Sequence, residues 1–285
     1  MTLAAAQRKL AEAGQWLPID GDSSRAIREL VECNSTGPLR LGYGGWRDLL
    51  LGAQFTNGNG DLITAGGRAV KNVAGYDLTK FMVGQFGVFG KIVTVTTRTY
   101  KRPTHALLAT FEPEVSKLNS LLPTTCRPQW ALMNPYSLLC GYLGDEQTIG
   151  FYESNLPSCG AKQAARETIE EDIAERERLW TPLRAGPHFR ASAPPSKISD
   201  FVKTASLENW VADAAFGIII GSCDLNDAPR LHGAADGVGG SVTIFDASGK
   251  PQNFSPDPIV QNTLRRLKYA FDPDGRLEKL PVSES

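Results

Sequence analysis

Apolar positions along this chain follow two spacings, one helical and one strand-like, and the points where the spacing changes outline its elements. Near the amino terminus Leu3, Ala6, Leu10 and Ala13 form a helical stripe, with Thr2 as a residue type that caps helices and Gly14 as one that ends them. Residues 48–55 and 61–65 are short apolar runs around Thr56-Asn57-Gly58-Asn59-Gly60, whose repeated Asn-Gly supplies the positive φ angles of a hairpin. This stretch predicts strand, turn, strand. Helical spacing over 77–83 stops at Gly84, and 91–100 is rich in Val, Ile and Thr, as strands are.

Beyond Pro103 glycine becomes sparser, and apolar runs at 106–111 and 216–220 alternate with helical stretches, the pattern of an α+β domain. Residues 166–180 predict a helix with Ile169, Ile173 and Trp180 on its buried side and charges elsewhere. Asp257-Pro258 opens another, whose stripe is Val260, Leu264, Leu267 and Phe271. The expected division is 1–103 and 104–285, and no internal repeat is visible.

With 285 residues, 41% of them hydrophobic, the chain can bury one large core or two modest ones. Its 30 basic and 31 acidic side chains are scattered, leaving a net charge of −1 and no basic patch for nucleic acid or an anionic membrane. No apolar run reaches the length of a membrane span, and charge appears too early for a secretory signal. Five cysteines, odd in number and without a C-x-x-C pair, fit reduced thiols in a cytoplasmic protein. A small molecule or another protein is the expected partner.

Several motifs fail on inspection. Gly84-Gln85-Phe86-Gly87-Val88-Phe89-Gly90-Lys91 lacks the glycine and the Ser or Thr that a phosphate loop ending at Lys91 needs. Gly58-Asn59-Gly60 starts like a dinucleotide fingerprint, but Ile63 replaces the third glycine and the segment reads as a hairpin. His105, His188 and His232 stand far apart, so no metal site is expected. The segment 66–80, Gly-Gly-Arg-Ala-Val-Lys-Asn-Val-Ala-Gly-Tyr-Asp-Leu-Thr-Lys, followed by Gly84, Gly87 and Gly90, is different. Its glycines allow close backbone approach to a ligand, and peptide N–H groups left free there can bind phosphate or flavin oxygens. On the residues alone, a tight strand-helix-strand corner fits equally well.

This block resembles the second half of the FAD-binding domain of the vanillyl-alcohol-oxidase or p-cresol-methylhydroxylase (PCMH-type) superfamily, and within it the flavin-binding subunits of glycolate oxidases. Lys71-Asn72-Val73-Ala74-Gly75-Tyr76-Asp77 carries the resemblance, with Gly87-Val88-Phe89-Gly90 and Lys91-Ile92-Val93 after it. Leu17-Pro18-Ile19-Asp20, Asn34-Ser35-Thr36-Gly37-Pro38, Tyr43-Gly44-Gly45-Trp46-Arg47-Asp48 and, near the carboxy terminus, Phe271-Asp272-Pro273-Asp274-Gly275 extend it. The resemblance implies half of a PCMH-type FAD-binding domain at 1–103 and an α+β, ferredoxin-like cap at 104–285. It implies FAD contacts at Asn34, Ser35, Thr36, Gly37, Pro38, Lys71, Asn72, Gly75, Tyr76, Asp77 and Gly87, and at Gly90, Ile92 and Val93 towards the adenine. It further implies a cytoplasmic hetero-oligomer with a sister flavoprotein and iron–sulfur-type subunits, oxidising a small 2-hydroxy acid such as glycolate to glyoxylate. No catalytic acid or base is assigned.

Three departures accompany the resemblance. The family's opening subdomain, with its glycine-rich pyrophosphate loop, would precede the helix with which this chain begins. The chain therefore reads as N-terminally truncated, or Met1 as an internal methionine. At Ala26-Ile27-Arg28-Glu29 the family shows a glycine-rich run. Here Arg28 and Glu29 are expected to form an exposed ion pair, unless Arg28 serves the pyrophosphate. The cap lacks the histidine cluster of related 2-hydroxy-acid dehydrogenases. A flavin-free scaffold subunit is the alternative reading.

Overall fold

The computed structural model describes residues 1–67, 78–180, 186–249, 251–252 and 258–280. Two compact units emerge, one of Met1–Thr36, Tyr43–Arg102 and Asn253–Ser285, the other of Gly37–Gly42 and Pro103–Gln252. This differs from a division at 103 in two places. The carboxy-terminal segment joins the first unit because Gly58 N donates to Phe271 O at 2.8 Å and Phe271 stacks on Phe81 with ring centroids 5.5 Å apart. Residues 37–42 join the second because Leu41 enters its core and Gly42 packs against the Gln129 backbone where a Cβ would crowd it.

In the first unit the strands are β1 (Gln15–Trp16), β2 (Leu50–Thr56), β3 (Leu62–Gly66), β4 (Lys91–Thr97) and β5 (Tyr100–Lys101). β1 pairs with β5, and an antiparallel sheet runs β3-β2-β4. The Asn-Gly turn closes the β2–β3 hairpin as its sequence predicts: Asn57 Oδ1 accepts from the N–H of Asn59 and Asp61 at 3.1 and 2.9 Å. Phe55, Ala65 and Ile92 face the core with Trp46, Leu49, Leu30 and Met82. On the solvent side a ladder of Thr64, Gln54 and Thr94 crosses the strands. The helix Leu3–Ala11 is capped by Thr2, whose Oγ1 accepts from Ala5 N at 3.2 Å, and buries Leu3 and Ala6. The helix predicted over 77–83 is Leu78–Phe81 among the described residues.

The second unit carries β6 (His105–Phe111), β7 (Trp130–Met133), β8 (Leu138–Gly144), β9 (Gln163–Glu167), β10 (His188–Ser192), β11 (Val211–Asp213), β12 (Ile218–Ser222) and β13 (Ser241–Phe245). One antiparallel sheet orders them β13-β10-β12-β11-β7-β8-β6-β9. Each half is a β-α-β-β-α-β module with strands in the order fourth, first, third, second, the ferredoxin-like arrangement. The two modules share a seam where their second strands pair, Ala212 with Met133 and Asp213 with Leu132. This is an internal repeat that the sequence did not reveal. It is carried by strand order rather than by residue identity, as the paired strands Trp-Ala-Leu-Met and Val-Ala-Asp, buried at every position, illustrate at the seam.

Helices Val115–Leu121, Glu146–Asn155, Ile198–Thr204 and Ala228–Gly237 cover one face of this sheet, where Phe111, Cys140, Tyr142, Phe189 and Ile219 meet Leu118, Ile149, Phe201 and Leu231. On the opposite face of the first module the helix Ile169–Trp180 is held by Asp172, which accepts a hydrogen bond from Trp130 Nε1 at 2.7 Å. Its buried positions are Ile169, Asp172, Arg176 and Trp180. Two of the charges expected to face water are thus buried, because they satisfy each other and the indole.

Candidate functional site

Within the first unit, two segments carrying most of the described candidates are fastened to each other. The helix Ile27–Glu32 ends in a Schellman motif: Ser35 N donates to Leu30 O at 2.8 Å, Asn34 N to Val31 O at 3.0 Å, and Asn34 takes a left-handed φ of 48°. Asn is among the few side chains that tolerate this position, so Asn34 is explained by helix termination before any ligand is invoked. Ser35 and Thr36 follow, both buried.

The facing loop, 84–90, is docked onto this helix end by Gly84 N to Val31 O at 3.0 Å and Phe86 N to Glu32 O at 2.8 Å. Buried Gln85 closes it from inside, donating to Gly90 O and accepting from Phe89 N, each at 2.9 Å. Phe86, at φ 55°, is a bulky residue in the left-handed region, a strain that persists only where surroundings enforce it. Gly90 has no room for a side chain, since a Cβ there would lie 2.6 Å from the Phe55 ring.

Beyond the loop, Ile92 N donates at 2.9 Å to Glu32 Oε1. Burial pushes the Glu32 carboxyl up, and the hydrogen bond from Ile92 partly counters this. The segments of Asn34, Ser35 and Thr36 and of Gly87, Gly90 and Ile92 are therefore fastened to each other, with the Ile92 side chain in the core. Val93 points to solvent with 53% exposure. Gly37 and Pro38 belong to the second unit, where their carbonyls accept from Arg40 and Leu41 N–H. Lys71, Asn72, Gly75, Tyr76 and Asp77 lie outside the described residues.

These segments test the expectation of free peptide N–H groups. Those of Gly84, Phe86, Val88, Phe89 and Ile92 are all bonded to protein acceptors. The described segments are thus tied to each other by backbone hydrogen bonds, while the N–H groups of Gly87 and Gly90 meet no acceptor among the described residues. The expected Arg28–Glu29 pair is also corrected: Glu29 pairs with Arg25 at 3.6 Å, one helical turn back, and Arg28 is exposed.

Sequence reasoning missed the charged residues on the face of the second module that its described helices leave uncovered, Arg190 and Asp213, with Arg40 over the Phe216 ring at 4.3 Å. In an alternating strand an arginine reads as solvent-facing, so no local signal marked it. The histidines stay apart: His188 stacks on Phe245, and His105 meets Glu146 at 3.4 Å. Among the described residues no group of three metal-ligating side chains assembles.

No protein-family profile matches the chain. Glycolate oxidase subunit GlcE of Escherichia coli is 28% identical over 290 residues, covering 96% of this chain and 77% of that protein. Glycolate oxidase subunit GlcD of Bacillus subtilis is 35% identical over 109 residues, 37% of this chain and 23% of that protein. Among solved structures, alkyldihydroxyacetonephosphate synthase matches in fold with a TM-score of 0.67 at 13% identity, and the match covers 97% of this chain and 62% of that one. An uncharacterised FAD-linked oxidoreductase of Mycobacterium tuberculosis is 32% identical over 322 residues, with 90% of this chain and 69% of that protein aligned. On that likeness, spread over both units, the chain belongs to the FAD-linked oxidoreductases.

Proposed function

We propose that this chain binds FAD and serves as a subunit of a cytoplasmic, glycolate-oxidase-like complex that oxidises a small 2-hydroxy acid. The observation that carries this reading is the match to glycolate oxidase subunit GlcE along 96% of the chain. The shared stretch with subunit GlcD supports a sister flavoprotein as partner, and an iron–sulfur-type subunit completes the complex. FAD, when bound, accepts the hydride of the substrate. The chain's own contribution is the wall of Asn34, Ser35, Thr36, Gly87, Gly90 and Ile92. Gly37, Pro38 and Val93 are assigned to the same cofactor, as are Lys71, Asn72, Gly75, Tyr76 and Asp77 from the block outside the described residues.

That the peptide N–H groups of Gly84, Phe86, Val88, Phe89 and Ile92 are taken up by protein acceptors favours a second reading, a flavin-free scaffold subunit. The visible absorbance spectrum of the purified chain, with and without added FAD, decides between them. Flavin bands that survive gel filtration support the first reading, and their loss supports the second. Affinity purification of the tagged chain from its own cells, with flavin and iron measured on the partners recovered, tests the complex.

A further inference from the structure

The sheet of the second unit ends in β13 on one side and β9 on the other, and the two edges are finished differently. Segment 251–252 closes the outer edge of β13, where Gln252 N donates to Ile244 O at 2.8 Å and Pro251 bridges to Phe245. β9 pairs with β6, and among the described residues no further strand covers its outward N–H and C=O groups. An uncovered edge of this kind is a template for one more strand.

Beside β9 lies a groove of about 440 Å³, lined by Ala165 and Glu167 of the strand and by Glu171, Ala174, Glu175 and Arg178 of the helix Ile169–Trp180. Ala165 and Glu167, two positions apart, point to the same side of the sheet. The four helix residues recur every three or four positions and so form one flank, next to the stripe that buries Asp172 and Arg176. Alanines on both walls leave room for an incoming backbone, and a strand edge overhung by a helix is a shape that takes up extended peptides.

The charges of this groove identify its occupant. Its own cations are engaged: Arg166 holds Glu146 at 2.7 Å and Glu153 at 2.9 Å, and Arg178 grips Glu175 through hydrogen bonds of 2.7 and 2.6 Å. Glu171 accepts from Thr168 N at 2.7 Å at the start of its helix. Glu167 differs, because its Oε2 is shielded from solvent and has no hydrogen-bond donor among the described residues. A carboxylate oxygen in that state has given up water without gaining a partner, and a lysine or arginine of an added strand would supply one. A second copy of this chain fits less well, since joining β9 to β9 would bring the glutamate-bearing flanks of two such helices face to face.

We propose that the open edge of β9 and the adjoining helix flank bind an extended segment of a partner polypeptide as one more strand, with a lysine or arginine of that segment paired to Glu167. This goes beyond the proposed function and does not depend on FAD.

The test is fluorescence anisotropy of the purified full chain with a dye-labelled, end-blocked peptide, Thr-Val-Thr-Lys-Thr-Val-Thr, and its counterpart with norleucine for lysine. At pH 8 the Glu167 carboxyl, pushed up to about 7, is ionised. The lysine peptide should bind at least about tenfold more tightly than the norleucine one, and should slow hydrogen exchange of the amides in 163–167. Glu167→Gln should bring the two peptides to equal affinity. Ala174→Arg, at an exposed helix position, fills the groove with a guanidinium of its own and should weaken the lysine peptide at least about tenfold, a second loss variant should Glu167→Gln fail to fold. No binding at millimolar peptide, equal affinity of the two peptides for the unaltered chain, or exchange protection outside β9 and the helix would overturn the proposal. So would a dimer of the unaltered chain in light scattering that Ala174→Arg dissociates, which would assign the edge to a second copy.

Discussion

Trp130 and Asp172, 42 residues apart, are joined by a 2.7 Å hydrogen bond from the indole Nε1 to Oδ1, and both side chains are buried. The other carboxylate oxygen takes the Arg176 guanidinium, at 3.0 Å from Nε and 2.9 Å from Nη2. Asp172→Ala leaves a buried guanidinium and a buried indole N–H without their acceptor, and should cost about 3–5 kcal/mol in urea unfolding. Asp172→Asn keeps an acceptor for Trp130 and should cost less. Equal stability of wild type and Asp172→Ala would show that the helix Ile169–Trp180 is held by its apolar residues alone.

Glu167, at the end of β9, has its carboxyl pushed up to about 7 by burial and then by the nearby carboxylates Asp172, Glu175 and Glu171. The folded state thus binds this proton more tightly than the unfolded chain, whose glutamate titrates near 4.5. Stability contributed here is greatest at low pH and declines as pH rises from about 4.5 to 7. Glu167→Gln should flatten that decline and raise the melting temperature at pH 8 by a few degrees. An unchanged pH profile in thermal melts would refute it.

Glu32 holds the N–H of Ile92 at the foot of the proposed cofactor wall. Removing the acceptor in Glu32→Ala strands a largely buried backbone donor, a cost of about 1–3 kcal/mol. The same variant should lose flavin on gel filtration faster than wild type, while Glu32→Gln, which keeps an acceptor oxygen, should retain it. Spectra of the eluted fractions measure both.

Asp272 anchors the closing helix. Its carboxylate takes Lys268 Nζ at 2.5 Å and the N–H groups of Arg276 and Leu277 at 2.7 and 2.9 Å. Burial pushes this carboxyl up, but those hydrogen bonds outweigh it and hold it below its ordinary value of 3.8. Its stabilising effect is therefore present above pH 3.8 and lost as the pH falls further. Asp272→Asn should reduce stability at neutral pH and remove part of the acid sensitivity, read as a smaller gap between midpoints at pH 7 and pH 3.

Local chemistry explains which parts of this fold were legible. The Asn-Gly hairpin, the Thr2 cap and the strand Lys91–Thr97 depend on residues adjacent in sequence, and all appear as the pattern predicts. The duplicated sheet, the burial of Asp172 and Arg176 and the partnership of Arg40 with Phe216 depend on chain segments far apart, so no short window contained them. In the closing helix the stripe of Val260, Leu264, Leu267 and Phe271 is real in spacing but only partly covered, with Val260 40% exposed. Amphipathic spacing tells which face could be buried, not how much surface the fold brings to it.

The ferredoxin-like repeat gives one sheet two topologically equivalent outer surfaces, and the protein treats them differently. In one module the surface is sealed by a helix that reaches it through Trp130 and Asp172. In its twin the equivalent surface carries Arg190 of β10 and Asp213 of β11. The two copies, joined by the backbone pairing of β7 and β11, thus clothe equivalent surfaces with different residues.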